Sequence, residues 1–118
     1  MMFRRRIRWE WYGHEKVLQE LNFELSKART PEALKGELAS ALLCLCTKTG
    51  QAPAELPPHG PIRVLRVSLV EQRLFIFFAA GLACRCYIGL HALYIENVEL
   101  PTPAAYTLAK ARLESFER

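Results

Sequence analysis

The sequence predicts an α+β domain: a mainly antiparallel sheet of about four strands, with an N-terminal helical hairpin packed on it and a helix at the C-terminus. Residues 62–101 hold three apolar runs, 62–69, 73–80 and 82–95, with too few residues between them for helices. Runs of this length with short connections are typical of an antiparallel meander. Apolar residues recur at helical spacing before and after the meander. The chain length predicts a single domain, residues 1–118.

Residues 3–12 are expected to form the first strand, because aromatic and β-branched residues alternate there in part with charged ones. Arginine stands at positions 4, 5, 6 and 8. These arginines allow two interpretations, a nucleic-acid-binding arm or a charged strand face that protects a sheet edge, and the second is the more common use. Gly13 ends the run.

Residues 14–28 and 31–48 are predicted to be helices, since apolar residues recur on one side of each. Thr30 and Pro31 form a start signal, in which Thr30 caps the second helix and Pro31 takes its first position. Gly50 lies where a C-terminal stop is expected. The two helices are expected to form an antiparallel hairpin that covers one face of the sheet.

A proline-rich loop and a last helix complete the prediction. Residues 51–61 contain four prolines and are expected to form a loop of limited flexibility. Thr102 and Pro103 repeat the start signal, and the last helix is predicted to run from Pro103 to Phe116.

The composition narrows the function only a little. A hydrophobic fraction of 51% is high, which indicates a large core or a partner interface such as an oligomer contact. The net charge of +4 and a pI of about 9.0 mildly favour an acidic partner such as nucleic acid. No apolar run reaches the ~18 residues of a membrane-spanning helix, and the N-terminus lacks the apolar region of a secretory signal. A cytoplasmic protein without membrane contact is therefore expected.

The four cysteines form two C-x-C pairs, Cys44/Cys46 and Cys84/Cys86. Cys44 and Cys46 fall in a helical pattern, where residues two apart point in different directions and cannot easily chelate one ion. Cys84 and Cys86 would share a strand face and could do so. The favoured interpretation is four buried thiols in a reducing compartment, without a metal.

Basic side chains are the main reason to suspect a function beyond packing. Alternate residues of a strand share a face, so a few cations could collect on one side of the sheet. Such arginines are also ordinary on a solvated face, and a histidine among them is often a half-buried structural residue. The candidates are Arg63, Arg66, Arg73, Arg85 and His91.

The predicted element order and several short motifs resemble the RelE/ParE toxin superfamily, in its HigB-like, phage-derived branch of type II toxin–antitoxin toxins. That branch has an E-L-R-V-like second strand and an arginine at the start of the third, where this chain has Val64–Val67 and Arg73. Its fourth strand reads L-H-G-F-x-K-K-T-x-K-T-P, to which residues 90–101 are similar without a gap. Ala109–Arg112 suits the A-x-x-R-like element of its last helix after a one-residue slip.

The chain departs from this pattern where the family carries its positive charge. Ala92 and Leu93 replace the usual glycine and aromatic residue. Ile95, Glu96 and Glu99 stand in place of three lysines, so the charge of the segment is reversed. Any cleavage is therefore expected to be weak or silent and to depend on Arg66 and Arg73 more than on residues 95–99.

The resemblance implies a metal-independent endoribonuclease that cleaves mRNA on the ribosome, with a cognate antitoxin as partner and no cofactor. In this chemistry a 2′-hydroxyl attacks the neighbouring phosphate while cations stabilise the developing charge. Arg66 and Arg73 would supply the cations and His91 an acid or base. The expected RNA-binding residues are Arg63, Arg85, Tyr87, Tyr94 and His59.

Two other classes of function remain open. The reversed charge favours a binding module, which is a toxin-like or small phage or mobile-element protein without cleavage, and a topoisomerase inhibitor like ParE belongs near this interpretation. The high apolar fraction favours plain oligomerisation through an exposed sheet or helix surface.

Overall fold

The computed structural model describes residues 10–14, 16–47, 54–81 and 85–116. Four strands form one sheet in the order β1-β4-β3-β2, with three helices packed on it, so the predicted α+β class is confirmed. In chain order the elements are β1 (Glu10–Gly13), α1 (Val17–Leu25), α2 (Pro31–Thr47), β2 (Arg63–Leu69), β3 (Gln72–Gly81), β4 (Cys86–Glu96) and α3 (Pro103–Phe116).

The sheet is mixed. Strands β2, β3 and β4 form the predicted antiparallel meander, and the two-residue turn at Val70 and Glu71 joins the first pair. Strand β1 instead runs parallel to β4, pairing with Cys86–Gly89. Only the end of the first predicted strand, from Glu10 onward, lies within the described residues.

Each face of the sheet carries its own apolar core. The face covered by α1 and α2, here the hairpin face, packs Leu34, Leu38 and Leu45 of α2 against strand residues such as Leu65 and Leu74. This is the cover that the sequence predicts for the helical hairpin.

The opposite face, here the α3 face, packs against the last helix. Ala105, Ala109 and Leu113 of α3 meet Phe75 and Phe77 of β3. Small residues on the contacting side of α3 allow the helix to approach the two phenylalanines closely.

The link between the two N-terminal helices is fixed by a buried glutamine. Gln72 is 5% exposed, and its side-chain oxygen accepts hydrogen bonds from the backbone N–H groups of Arg29 and Thr30. The Thr30 hydroxyl accepts from the Gln72 side-chain amide at 2.9 Å. Pro31 begins α2 as predicted, and the carbonyl oxygen of Thr30 accepts from the N–H of Leu34 in the first turn of the helix.

Helix α1 closes the edge of β4 that β1 leaves open. The N–H groups of Ala92 and Tyr94 donate to the carboxylates of Glu20 (3.3 Å) and Glu24 (2.9 Å). Unpaired strand amides are a pairing hazard, and two helix carboxylates satisfy them here.

Replacing Gly89 by alanine should lower the free energy of unfolding by about 1–3 kcal/mol, the range for overpacking. A Cβ atom at this position of β4 would lie 2.8 Å from the Trp11 ring, which packs against the glycine. Urea denaturation measures the change. Gly36→Ala is the matched control, because a Cβ there meets nothing within 4 Å and α2 should gain about 0.5–1 kcal/mol. Equal stability of the two variants would contradict this packing.

The cysteines correct part of the sequence prediction. Cys46 is buried in α2 as expected, but Cys44 is only half-buried. Cys86 is buried and takes part in a disulfide, so the expectation of a free thiol is wrong for this residue. Cys84 lies outside the described residues. The described ranges contain no group of three or more histidine, cysteine or acidic side chains that could hold a metal, and a metal-free protein remains a prediction.

Within the described residues, no helix has both the length and the apolar character needed to cross a membrane.

Candidate functional site

Arg66 and Arg73 meet on the α3 face, where one carboxylate joins them. Arg66 is paired with Phe75, and Arg73 lies opposite Ser68 and Ile95, so both arginines share the side of the phenylalanine core. Arg73 Nη2 donates to Glu99 Oε1 at 2.8 Å. Arg66 Nη1 lies 3.4 Å from Glu99 Oε2 and donates to the Glu99 carbonyl oxygen at 2.8 Å. Arg66, Arg73 and Glu99 are called the Glu99 cluster below.

A short turn after β4 brings Glu99 over the two arginines. Asn97 adopts a left-handed conformation (φ 60°), which asparagine tolerates better than most residues. Its N–H donates to the carbonyl oxygen of Glu71 at 2.8 Å, which ties the turn to the β2–β3 connection. The hydrogen bond from Arg73, together with its charge, holds the pKa of Glu99 below its usual range. The carboxylate is therefore ionised at neutral pH and neutralises part of the cationic surface.

The two arginines differ in how much of each reaches solvent. The Arg73 side chain is 17% exposed, its Nη1 donates to the Gln72 carbonyl oxygen at 3.0 Å, and its Nε is buried without a hydrogen-bond partner. The Arg66 side chain is 32% exposed, whereas that of Glu99 is 66% exposed. The carboxylate is thus the most exposed group of the cluster and lies over two less exposed arginines, which are suited to a phosphate as well as to a carboxylate.

His91 lies on the same face but not in the same place. His91 pairs with Phe77, whereas Arg73 pairs with Ile95. His91 and Ile95 are four residues apart along β4, which is about 13 Å at the usual strand rise. His91 Nδ1 is hydrogen-bonded to Glu20 Oε1 at 2.7 Å, and its side chain is 12% exposed. The structure does not bring His91 together with the arginines, and a catalytic role for it stays a prediction.

Glu20 joins α1, β4 and α3 through three partners. One carboxylate oxygen meets His91 and the N–H of Ala92, and the other accepts a short hydrogen bond from Arg112 Nη2. Arg112 Nη1 also donates to the carbonyl oxygen of Leu90 at 2.9 Å. Burial alone would raise the pKa of Glu20, but the hydrogen bonds from Arg112 and His91 outweigh it and hold the pKa at about 2. Glu20, His91 and Arg112, called the Glu20 cluster below, form a charge-balanced link between three elements.

Three of the predicted RNA-binding residues face the hairpin instead of the arginine pair. Arg63 binds Glu55 through two hydrogen bonds of 2.6 and 2.7 Å and lies over the rings of Phe78 and Tyr87. Tyr87 is 1% exposed and Tyr94 is 8% exposed. The expectation that Arg63 collects with the other cations is therefore wrong, and burial removes both tyrosines as surfaces on which a base could stack.

The two glutamates that stand in place of lysines also lie apart: Glu96 ends β4, and Glu99 follows the turn after it. The Glu96 carboxylate accepts from Arg29 Nε (3.1 Å) and from the Tyr94 hydroxyl (2.7 Å) at the hairpin side of the sheet. Ile95 packs with the apolar residues of the α3 face. Glu99 is thus the member of the segment that meets Arg66 and Arg73.

The last two candidates are exposed. Arg85 precedes β4 in a left-handed conformation (φ 52°). His59 lies in the loop before β2, and its ring stacks on that of Tyr106 with centroids 3.9 Å apart and planes 9° apart. His59 is therefore the predicted RNA-binding residue that stands on the α3 side with the arginines.

Sequence reasoning missed the acidic partners in both clusters. Glu20 has the pattern of an ordinary solvated helix residue, and nothing in its neighbours marks it as the partner of Arg112, which is 92 residues away. Glu99 stands out in the sequence as a charge reversal, but its contact with two arginines depends on the turn at Asn97.

Comparison with protein-family models, with curated proteins and with solved structures finds no match for this chain.

Proposed function

We propose that the chain is a toxin-like protein of the RelE/ParE kind that binds RNA through Arg66 and Arg73, with cleavage weak or silent. The observation that carries this proposal is the Glu99 cluster, in which two neighbouring arginines on one sheet face are held by one exposed carboxylate. Arginine pairs of this kind are suited to phosphate. The chain order of one strand, two helices, three meander strands and a last helix supports the resemblance.

The arrangement favours binding over cleavage because the groups that cleavage requires are apart. Transfer of the 2′-hydroxyl proton and protonation of the leaving oxygen need an acid and a base within hydrogen-bond reach of the phosphate. His91 is hydrogen-bonded to Glu20. It lies about 13 Å along β4 from Ile95, the residue that pairs with Arg73, at the usual strand rise. The cations that would stabilise the developing charge are themselves engaged by Glu99.

The partners follow from the same proposal. A cognate antitoxin protein would cover the toxin-like domain, and mRNA on the ribosome would be the RNA target if cleavage persists. A protein with these two partners would act in the cytoplasm, and this localisation is part of the proposal.

A slow mRNA interferase is the second candidate. The observation that favours it is that Arg66, Arg73 and His91 all project from the α3 face of β2, β3 and β4. An RNA segment of several nucleotides would be long enough to contact the Glu99 cluster and the Glu20 cluster at once.

Expression in growing bacteria, with mapping of mRNA 5′ ends, separates the two candidates. We expect the wild-type chain to produce few or no new 5′ ends and little growth arrest. Double substitution of Arg66 and Arg73 by alanine is the matched control, which should remove any residual ends. Losing one such cation in an active enzyme typically costs about 10²-fold or more in rate. Strong cleavage that survives the double substitution would overturn the site assignment.

A further inference from the structure

A groove opens on the α3 face between the loop before β2 and the segment before α3. Its volume is about 390 Å³, which lies within the range of small-ligand sites. The lining residues are leucines and prolines, apart from one histidine and one tyrosine. The residues that matter here are Leu56, Pro57, His59, Leu100, Pro101 and Tyr106.

His59 and Tyr106 form an aromatic pair in this groove, which the core holds on the Tyr106 side and which is exposed on the His59 side. Tyr106 meets the fully buried Phe77 ring edge-on, with centroids 5.2 Å apart and planes at 89°. His59 stacks on Tyr106, and its backbone exchanges two hydrogen bonds with Ile62, at 2.9 and 3.0 Å. Because His59 is exposed, the ring face away from Tyr106 is accessible to another flat ring.

The polar atoms of the pair are available to a ligand. Among the described residues, no hydrogen bond engages the imidazole nitrogens of His59 or the hydroxyl of Tyr106. An apolar groove with a stacking surface and two such groups suits a flat heteroaromatic ring whose edge carries donors and acceptors. A nucleobase has this chemistry.

One wall of the groove adjoins the Glu99 cluster along the chain, because Leu100 of that wall directly follows Glu99. Arg66 donates to the carbonyl oxygen of Glu99, which belongs to the peptide group that leads into Leu100 of the groove wall. The Arg66 guanidinium thus lies beside the peptide group that enters this wall, which makes it the nearest described cation for a phosphate attached to a ligand in the groove. Charge complementarity favours an anionic ligand over an uncharged proline-rich peptide.

We propose that this groove binds one base of a single-stranded RNA, stacked on His59, with the adjoining phosphate on Arg66. The proposal rests on the RNA binding proposed above and adds the position and the kind of contact. Stacking on an aromatic side chain accepts any base, so the site supplies affinity without strong sequence preference.

A five-nucleotide RNA with a central 2-aminopurine tests the proposal, since stacking quenches the fluorescence of this base. We expect the wild-type chain to quench it and to bind the RNA in fluorescence anisotropy. His59→Ala should remove the quenching and weaken binding about tenfold or more, as for other lost base–aromatic stacks. His59→Phe should retain both. Tyr12→Ala is the control, because Tyr12 is 51% exposed on β1 at the opposite edge of the sheet.

Three outcomes overturn the proposal. RNA binding without quenching, equal in the wild type and in His59→Ala, would leave the proposed function intact and refute the base site alone. Quenching that survives His59→Ala would place the base elsewhere. Absence of RNA binding even in a Glu99→Gln chain would refute the proposed function together with the base site. Circular dichroism spectra matching the wild type verify that each variant is folded.

Discussion

Replacing Glu20 by alanine is expected to cause a large loss of stability for the described part of the chain, about 2–3 kcal/mol, because the Glu20 side chain is 24% exposed and broken fully buried pairs cost about 3–5 kcal/mol. The change leaves the Arg112 side chain, which is 14% exposed, and the His91 side chain, which is 12% exposed, without their shared carboxylate. It also removes the acceptor of the Ala92 N–H at the edge of β4. Urea denaturation at neutral pH measures the loss.

The matched control for this substitution is Glu32→Ala on α2. Glu32 also forms a pair, with Lys35 at 3.2 Å, but its side chain is 85% exposed. Exposed pairs contribute little, so the control should lose no more than about 0.5 kcal/mol. Equal losses for the two variants would contradict the structural role of the Glu20 cluster.

The same cluster predicts the acid sensitivity of the fold. The pKa of Glu20 is lowered from an ordinary value of 4.5 to about 2 in the folded chain. A lowered folded-state pKa means that the stabilisation is fully present above the unfolded value and is lost as the pH falls from about 4.5 toward 2. Unfolding free energy measured across this window should fall less steeply in Glu20→Ala than in the wild type. Parallel curves would show that the carboxylate is not stabilised as described.

Replacing Glu99 by glutamine is expected to produce the largest gain in RNA affinity, about three- to tenfold at low salt. The carboxylate lies 2.8 Å from Arg73 and 3.4 Å from Arg66, so it occupies the position at which the two guanidinium groups would receive a phosphate. The amide removes a negative charge that repels RNA and competes less well for both arginines. Fluorescence anisotropy with a short single-stranded RNA measures the change.

Glu71→Gln is the control for the charge itself. Glu71 is another exposed carboxylate of the sheet end, but it pairs with Arg29 at 3.4 Å and not with the arginine pair. Both variants raise the net charge by one unit. If the affinity rises equally in both, the effect reflects net charge and not the Glu99 cluster.

The helices and strands whose apolar residues recur with a clear period were predictable from the sequence. Helix α3 has the bounds predicted from the Thr102–Pro103 start signal, and β2 differs from its predicted range by one residue. Apolar periodicity and capping residues act locally, so a single sequence carries them. The parallel pairing of β1 with β4 was not predicted, because alternation within a strand says nothing about its neighbour.

Which residues meet was predictable only in part. Arg63 and Arg66 are an odd number of positions apart, so simple alternation already places them on opposite faces of β2. A β-bulge, however, reverses the alternation within β4: Gly89 pairs with Phe78, His91 with Phe77, and Leu90 is the extra residue. Tyr87 therefore faces the hairpin while His91, with the same parity, faces α3.

The salt dependence of RNA binding tests the role of Arg66 and Arg73 most directly. The affinity of a short single-stranded RNA is measured from about 50 to 200 mM salt for Glu99→Gln, with and without alanine at both arginines. Each phosphate contact on a single strand contributes about 0.7 to the slope of log affinity against log salt. We predict that the double alanine substitution makes this slope shallower by about 1.4, which corresponds to the loss of two phosphate contacts. An unchanged slope would contradict the account, because the phosphates would then be bound by other residues.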